Sequence, residues 1–122
     1  MKSKMLTLAA AAAVGAFAAQ PAAAQESQAL NATVIDLACY VNMGVMGPDH
    51  RECAQVCADA GIALGFLGSD GQIYLATAPG MAQSVTPTLR PHAEHEVTVT
   101  GVIHERGGVR SIVVDKIEMR GG

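Results

Sequence analysis

The sequence predicts a mainly β protein, a small antiparallel barrel of about five strands with one inserted α-helix. Short segments rich in Val, Ile and Thr recur along the chain, and turns that contain Gly or Pro separate them. One segment, 49–60, has the periodicity of a helix, and strands do not alternate regularly with helices. This pattern favours antiparallel pairing over a parallel sheet with crossover helices.

The first 24 residues are expected to be a cleavable secretory signal peptide. Two lysines precede the apolar run Met5–Ala19, and Ala22–Ala24 supplies the small residues of a cleavage site. The run is too short and too rich in alanine to favour a membrane span. We therefore expect residues 25–122 to form a single periplasmic or secreted domain with no membrane span after cleavage.

The composition of residues 25–122 narrows the classes of partner. Loss of Lys2 and Lys4 changes the formal charge from −3 to −5, and the chain has no Trp. Nucleic acid is therefore not an expected partner. All three cysteines lie in this part of the chain, and exported thiols are usually oxidised or bound to metal. Because three is an odd number, one thiol would stay free if the other two formed an intramolecular disulfide.

The first predicted strand, Thr33–Val41, follows the polar residues 25–31, which we expect to be frayed. Alternation along this strand places Cys39 on its core-facing side. A loop with three helix breakers leads to the predicted helix Asp49–Ala60, whose Asp-x-x-Glu start resembles a capping box. Gly61 is the expected C-cap.

The next two predicted strands, Ile62–Leu67 and Gln72–Thr77, form a hairpin around a Gly-Ser-Asp-Gly turn. Pro79–Pro91 contains three prolines and no clear period. It is predicted to be a connecting loop with one helical turn near Met81–Val85.

A second hairpin is predicted near the end of the chain. Its strands, His95–Ile103 and Val109–Met119, flank Gly107-Gly108, and both glycines can adopt the positive φ angles of a primed turn. Glu105 then faces Arg110. Farther from the turn the same register would place a valine opposite a glutamate, so we expect a β-bulge. Five strands with a helix after the first favour an OB-like barrel.

The clearest chemical feature is a histidine and two cysteines on the predicted helix. His50, Cys53 and Cys57 have the spacing i, i+3, i+7, which places their side chains on one stripe. Because Val56 lies beside this stripe, we expect it to pack inward, toward the strand face that carries Cys39. The four polar side chains are therefore expected to converge.

Three thiolates and an imidazole form a ligand combination used for tetrahedral zinc, and thiolates also select Cu(I). Met43 and Met46, in the loop before the helix, add thioether donors that favour Cu(I). The sequence thus predicts a metal-binding accessory protein, not an enzyme, that stores copper or zinc or passes it to a periplasmic protein partner. The predicted metal ligands are Cys39, His50, Cys53 and Cys57.

Two other interpretations of the cysteines stay open. In one, Cys39 forms a structural disulfide with a helical cysteine, and the barrel is an interaction or ligand-binding module. In the other, the chain is a thiol redox protein in which the dipole of the helix activates Cys53. The motifs C-x-x-C and C-x-x-C-H are absent, which argues against thioredoxin-like chemistry and covalent haem.

The remaining polar residues indicate no second site. The other histidines, His92, His95 and His104, are expected at the surface. The aspartates Asp36, Asp70 and Asp115 are scattered along the chain, and no paired carboxylates support hydrolytic chemistry.

Two motifs flank the loop before the predicted helix, namely ACY at 38–40 and GPDHRECAQVC at 47–57, and the apolar segment 61–67 follows them. Together they resemble the pattern of a group of small secreted bacterial proteins. The later segments VTVTG and ERGGVR resemble the last two strands of bacterial OB-fold proteins, so the resemblance covers most of residues 33–119. It implies an OB-like domain with a Cys/His helix, and it assigns no activity to particular residues.

Overall fold

The computed structural model describes residues 9–17 and 25–121, within which five strands and three α-helices occur. In chain order these are β1 (Gln28–Asp36), α1 (Leu37–Met43), α2 (Arg51–Asp59), β2 (Leu64–Gly68), β3 (Ile73–Thr77), α3 (Thr86–Leu89), β4 (Glu96–Arg106) and β5 (Val109–Met119). A 3₁₀ turn, Pro48–His50, precedes α2, and another, Arg90–His92, follows α3.

The N-terminal segment contributes nothing to the sheet. Most of the predicted signal peptide, namely 1–8 and 18–24, lies outside the described residues. Residues 9–17 are exposed and form neither helix nor strand. No described helix combines the length and the apolar composition that crossing a membrane requires.

The five strands form one continuous ladder in the order β1-β2-β3-β5-β4, and the pairing of β1 with β4 closes it. Four of the five pairings are antiparallel, whereas β3 runs parallel to β5. The prediction of a mainly β protein with five strands is confirmed. The parallel contact had no sequence signal, because it joins strands that are distant along the chain.

The hairpin of β4 and β5 confirms the predicted register and turn. Glu105 pairs with Arg110, and their side chains form an ion pair with a distance of 3.2 Å between Oε2 and Nε. Gly107 and Gly108 have φ angles of 59° and 78°, as a primed turn requires. The expected bulge lies between Thr100 and Gly101. A Cβ atom at Gly101 would clash with a backbone carbonyl of β5, so the bulge brings two backbones closer than a side chain allows.

The core lies inside the sheet and includes one residue from the segment that was expected only to connect. Leu89 of α3 is fully buried with Phe66, Val97 and Ile112. The predicted helical turn at 81–85 is therefore misplaced. The observed helical turn begins at Thr86, and Pro87 is its second residue. The turn directs Leu89 into the core.

The first strand is shifted toward the N-terminus relative to the prediction. It begins at Gln28, within the segment expected to be frayed, and ends at Asp36 instead of Val41. The following residues form α1, because the Asp36 side chain caps the helix by accepting a hydrogen bond of 3.0 Å from the backbone N–H of Cys39. Cys39 therefore lies on a helix and not on a strand.

The second helix also differs from its prediction in detail. It spans Arg51–Asp59 in place of 49–60, and His50 belongs to the preceding 3₁₀ turn. No side chain forms a capping hydrogen bond at the start of this 3₁₀ turn or at the start of α2, so the predicted capping box is wrong. The helix packs on the barrel through Ala54 and Ala58, which are its buried residues.

Candidate metal centre

The candidate metal centre lies where the end of β1 meets α1, the 3₁₀ turn and α2. Asp36 is the last residue of β1, Cys39 lies in the first turn of α1, and His50 ends the 3₁₀ turn. One potential ligand atom from each of these residues lies within 4.8 Å of those from the other two. Cys57 of α2 interacts with both Asp36 and Cys39. A carboxylate, an imidazole and one thiol therefore share a small volume, and a second thiol, that of Cys57, lies beside the carboxylate.

The local fold at Asp36 places two of these groups side by side. As the N-cap of α1, Asp36 directs its carboxylate along the first turn of the helix, where Cys39 lies three residues later. The backbone N–H of Leu37 donates to the carbonyl of Ala63 at 3.1 Å, which holds the strand-to-helix junction beside β2. The carboxylate and the Cys39 thiol are thus positioned by one capped helix start.

A buried glutamate connects this junction to the loop that precedes His50. Glu94 is 4% exposed, and its carboxylate accepts a 2.7 Å hydrogen bond from the N–H of Gly47 and a longer one, 3.5 Å, from that of Asp36. The backbone N–H of His50 donates in turn to the carbonyl of Gly47 at 2.9 Å. Glu94 itself has a φ angle of 59°, a strained conformation for a non-glycine residue. Glu94 therefore fixes the spacing between two of the candidate ligands.

Asp36 is a fully buried acid that stays ionised without a cation. Burial opposes its ionisation, but the N–H of Cys39 and the neighbouring thiols hold the pKa of Asp36 below its usual value. No ion pair reaches this carboxylate from any residue in the described ranges. Buried charges are normally paired or bound to a metal, so this carboxylate is compatible with the role of a metal ligand.

The half-buried thiols of Cys39 and Cys57 are held in their protonated form. Interaction with the Asp36 carboxylate, followed by burial, raises the pKa of Cys57 to about 12. Burial and then the same carboxylate raise the pKa of Cys39. Because metals bind the thiolate form, a metal ion entering this site would displace protons from both sulfurs.

Two buried polar atoms in the site lack hydrogen-bond partners. These are Oδ2 of Asp36 and Nε2 of His50. Although the thiols lie close to the carboxylate, none makes a hydrogen bond of good geometry to Oδ2. Buried polar atoms are nearly always satisfied, and an unsatisfied pair beside the Cys39 thiol is compatible with a site that could hold a metal ion.

The structure brings together two of the four predicted ligands, Cys39 and His50, and adds Asp36, which the sequence interpretation had set aside. Cys57 lies outside this group of three but interacts with Asp36 and Cys39, and Cys53 is exposed. Asp36 was expected to be isolated. Its signal was local, since an aspartate three residues before a cysteine at a helix start places both at the same N-terminus.

The stripe that carries the cysteines does not face the core, which corrects the expected orientation of α2. Val56 is 61% exposed, and the smaller side chains of Ala54 and Ala58 form the contact with the barrel. The reason is steric, because alanines allow the helix to approach the sheet closely. Of the two cysteines on this helix, Cys57 interacts with Cys39 of α1, whereas Cys53 is exposed.

Other residues of the sequence analysis lie apart from this group. Met43 is 65% and Met46 is 39% exposed. The Nδ1 atom of His95 lies 3.2 Å from the guanidinium of Arg51, and that of His92 lies 3.2 Å from the sulfur of Met119. These histidines thus have structural partners. The remaining predicted surface histidine, His104, is exposed, as expected.

The three cysteines are free thiols in this structure. Comparison of the chain with protein families, with curated proteins and with solved structures gave no match. The chemistry of the site therefore rests on the residues themselves.

Proposed function

We propose that this chain is a metal-binding protein that holds one Zn(II) or Cu(I) ion with Asp36, Cys39, His50 and Cys57. The observation that carries the proposal is the pair of buried atoms without partners, Oδ2 of Asp36 and Nε2 of His50, beside two thiols. These side chains would supply one oxygen, one nitrogen and two sulfur atoms, and Cys53 would stay outside the inner group.

Zn(II) is the ion that this set of ligands favours. Zinc accepts Cys, His and Asp in a single tetrahedral site, whereas a carboxylate is a poor ligand for Cu(I). Cu(I) is the second candidate because Cys53 interacts with Cys57, so a third thiol can replace the carboxylate.

The raised pKa values of Cys39 and Cys57 argue against these two thiols as redox nucleophiles and are compatible with a role as metal ligands. A redox thiol needs a depressed pKa to be a nucleophile near neutral pH. A metal ligand has no such need, since the ion itself drives deprotonation.

We further propose an OB-like barrel of the small secreted bacterial group for the fold, and the periplasm or the cell exterior for the location. The strand order and the pairing of β1 with β4 that closes it support the fold proposal. In such a location the protein would store or deliver the ion, with a periplasmic protein as the recipient.

Native mass spectrometry of the purified chain, combined with alkylation of thiols, tests the proposal. We expect a bound zinc or copper mass that is lost on denaturation, and protection of Cys39 and Cys57 from iodoacetamide until the ion is removed. A metal-free mass after incubation with either ion, with all thiols reactive, contradicts the proposal. A mass lower by two hydrogens, with a single free thiol, indicates a disulfide instead.

A further inference from the structure

Exposure to solvent increases stepwise across the candidate site. Asp36 is fully buried, Cys39 and Cys57 are half-buried, and Cys53 is exposed. The unpartnered atoms Oδ2 of Asp36 and Nε2 of His50 are shielded from solvent. An ion held by this inner group would therefore be inaccessible to an incoming ligand from the side of the carboxylate and the imidazole.

Cys57 connects the inner group with the surface. Its side chain interacts with the Asp36 carboxylate on one side and with the Cys53 side chain on the other. Cys53 and Cys57 lie one turn apart on α2, where side chains four residues apart are neighbours. Sulfur atoms thus form a short path from the buried group to solvent.

We propose that Cys53 is the exchange thiol of this site, through which the ion passes to a thiol-bearing acceptor. The inference rests on the proposed function, and it assigns to Cys53 a role in transfer and not in holding the ion.

The transfer is a series of ligand substitutions and involves no electron transfer. In the first, the ion gains a bond to the Cys53 sulfur and loses its bond to the Asp36 oxygen, while the Cys53 proton passes to water. In the second, a sulfur of the acceptor replaces Cys57 on the ion, and the acceptor's thiol proton is taken up by the Cys57 sulfur. Further acceptor sulfurs then replace Cys39 and Cys53, whose sulfurs take up the acceptor's thiol protons, while the neutral imidazole of His50 leaves the ion unchanged. The oxidation state of the ion is the same throughout.

The experiment compares affinity with the rate of transfer in the full chain. The unmodified protein, C53S and C53A are loaded with Zn(II), and each affinity is measured by competition with a chromogenic zinc indicator. Transfer is then followed by stopped flow after mixing with dimercaptosuccinate as the thiol acceptor. V56A serves as the matched control, because Val56 is exposed one turn along the same helix.

We expect C53S and C53A to keep the zinc dissociation constant within about threefold and to slow transfer by at least about tenfold. V56A should change neither quantity. Transfer at an unchanged rate in both Cys53 variants overturns the inference, and so does an affinity loss of more than about tenfold, which would make Cys53 a holding ligand. Failure of the unmodified chain to bind zinc overturns the proposed function itself, so the two failures are distinguishable.

Discussion

Replacement of Asp36 by Asn separates the two roles of this side chain, as a helix cap and as an anionic ligand. Asn is as good an N-cap as Asp, so its carbonyl oxygen can still accept the 3.0 Å hydrogen bond from Cys39. The negative charge and the second carboxylate oxygen are lost. Asp36→Ala, by contrast, removes the cap as well.

We expect both substitutions to have a small effect on the free energy of unfolding and a large effect on zinc affinity. Because the pKa of Asp36 is lowered in the folded protein, the folded state favours the ionised carboxylate over the protonated one. We therefore expect D36N to lower the free energy of unfolding of the metal-free protein slightly, by less than about 1 kcal/mol, and D36A to lower it by about 1 kcal/mol more. Zinc affinity should fall at least about 100-fold in both variants, equivalent to about 2.7 kcal/mol, since a direct ligand is lost.

The sign of the pH dependence follows from the same lowered pKa. The contribution of ionised Asp36 to stability is complete above the pKa of an unfolded aspartate and is lost as the pH falls through the lower folded-state pKa. D36N should lack this acid-dependent loss. Urea unfolding of the metal-free proteins over a range of acidic pH values measures this acid-dependent loss of stability. Competition with the zinc indicator measures the zinc affinity.

Two results would refute the reasoning about Asp36. Zinc affinity that is equal in D36N and the unmodified protein would remove the carboxylate from the ligand set. A stability loss above about 2 kcal/mol in metal-free D36N would show that the charge principally holds the fold together, because loss of a buried hydrogen bond to a charged group has that magnitude.

Three further predictions test the site and its surroundings. H50A should weaken zinc binding by at least about tenfold and change metal-free stability by less than about 1 kcal/mol, because Nε2 of His50 has no partner to lose; indicator competition and urea unfolding measure both. G101A should lower the free energy of unfolding by about 1–3 kcal/mol, since its Cβ would meet a backbone carbonyl; unchanged stability would contradict the close approach. The Asp70 carboxylate raises the pKa of Tyr74, so D70N, made in a Y40F background, should lower the midpoint of the phenolate absorbance titration. An unchanged midpoint would argue against the 2.6 Å hydrogen bond between the Tyr74 hydroxyl and this carboxylate.

Local patterns in the sequence determined the two hairpins. For β4 and β5, the Gly-Gly turn, the Glu105–Arg110 pair and the need for a bulge could be deduced, because register depends on turn chemistry and on directly opposite side chains. The mainly β class followed from the same alternation. The sequence analysis also expected Cys39 and His50 to lie close together, but it placed Cys39 on a strand and His50 within the helix.

Only the tertiary structure decided how the site is completed and oriented. An alternating pattern across 33–41 fits a strand. The second half of this segment is nevertheless a helix, because Asp36 caps it and the backbone N–H of Leu37 donates a hydrogen bond to the carbonyl of Ala63. Asp36 then enters the site, while the contact of Ala54 and Ala58 with the barrel leaves Cys53 at the surface. These outcomes depend on contacts between residues that are distant along the chain. The hydrogen bond between Asp36 and Glu94 spans 58 positions, and no local period in the sequence encodes a partner at that separation.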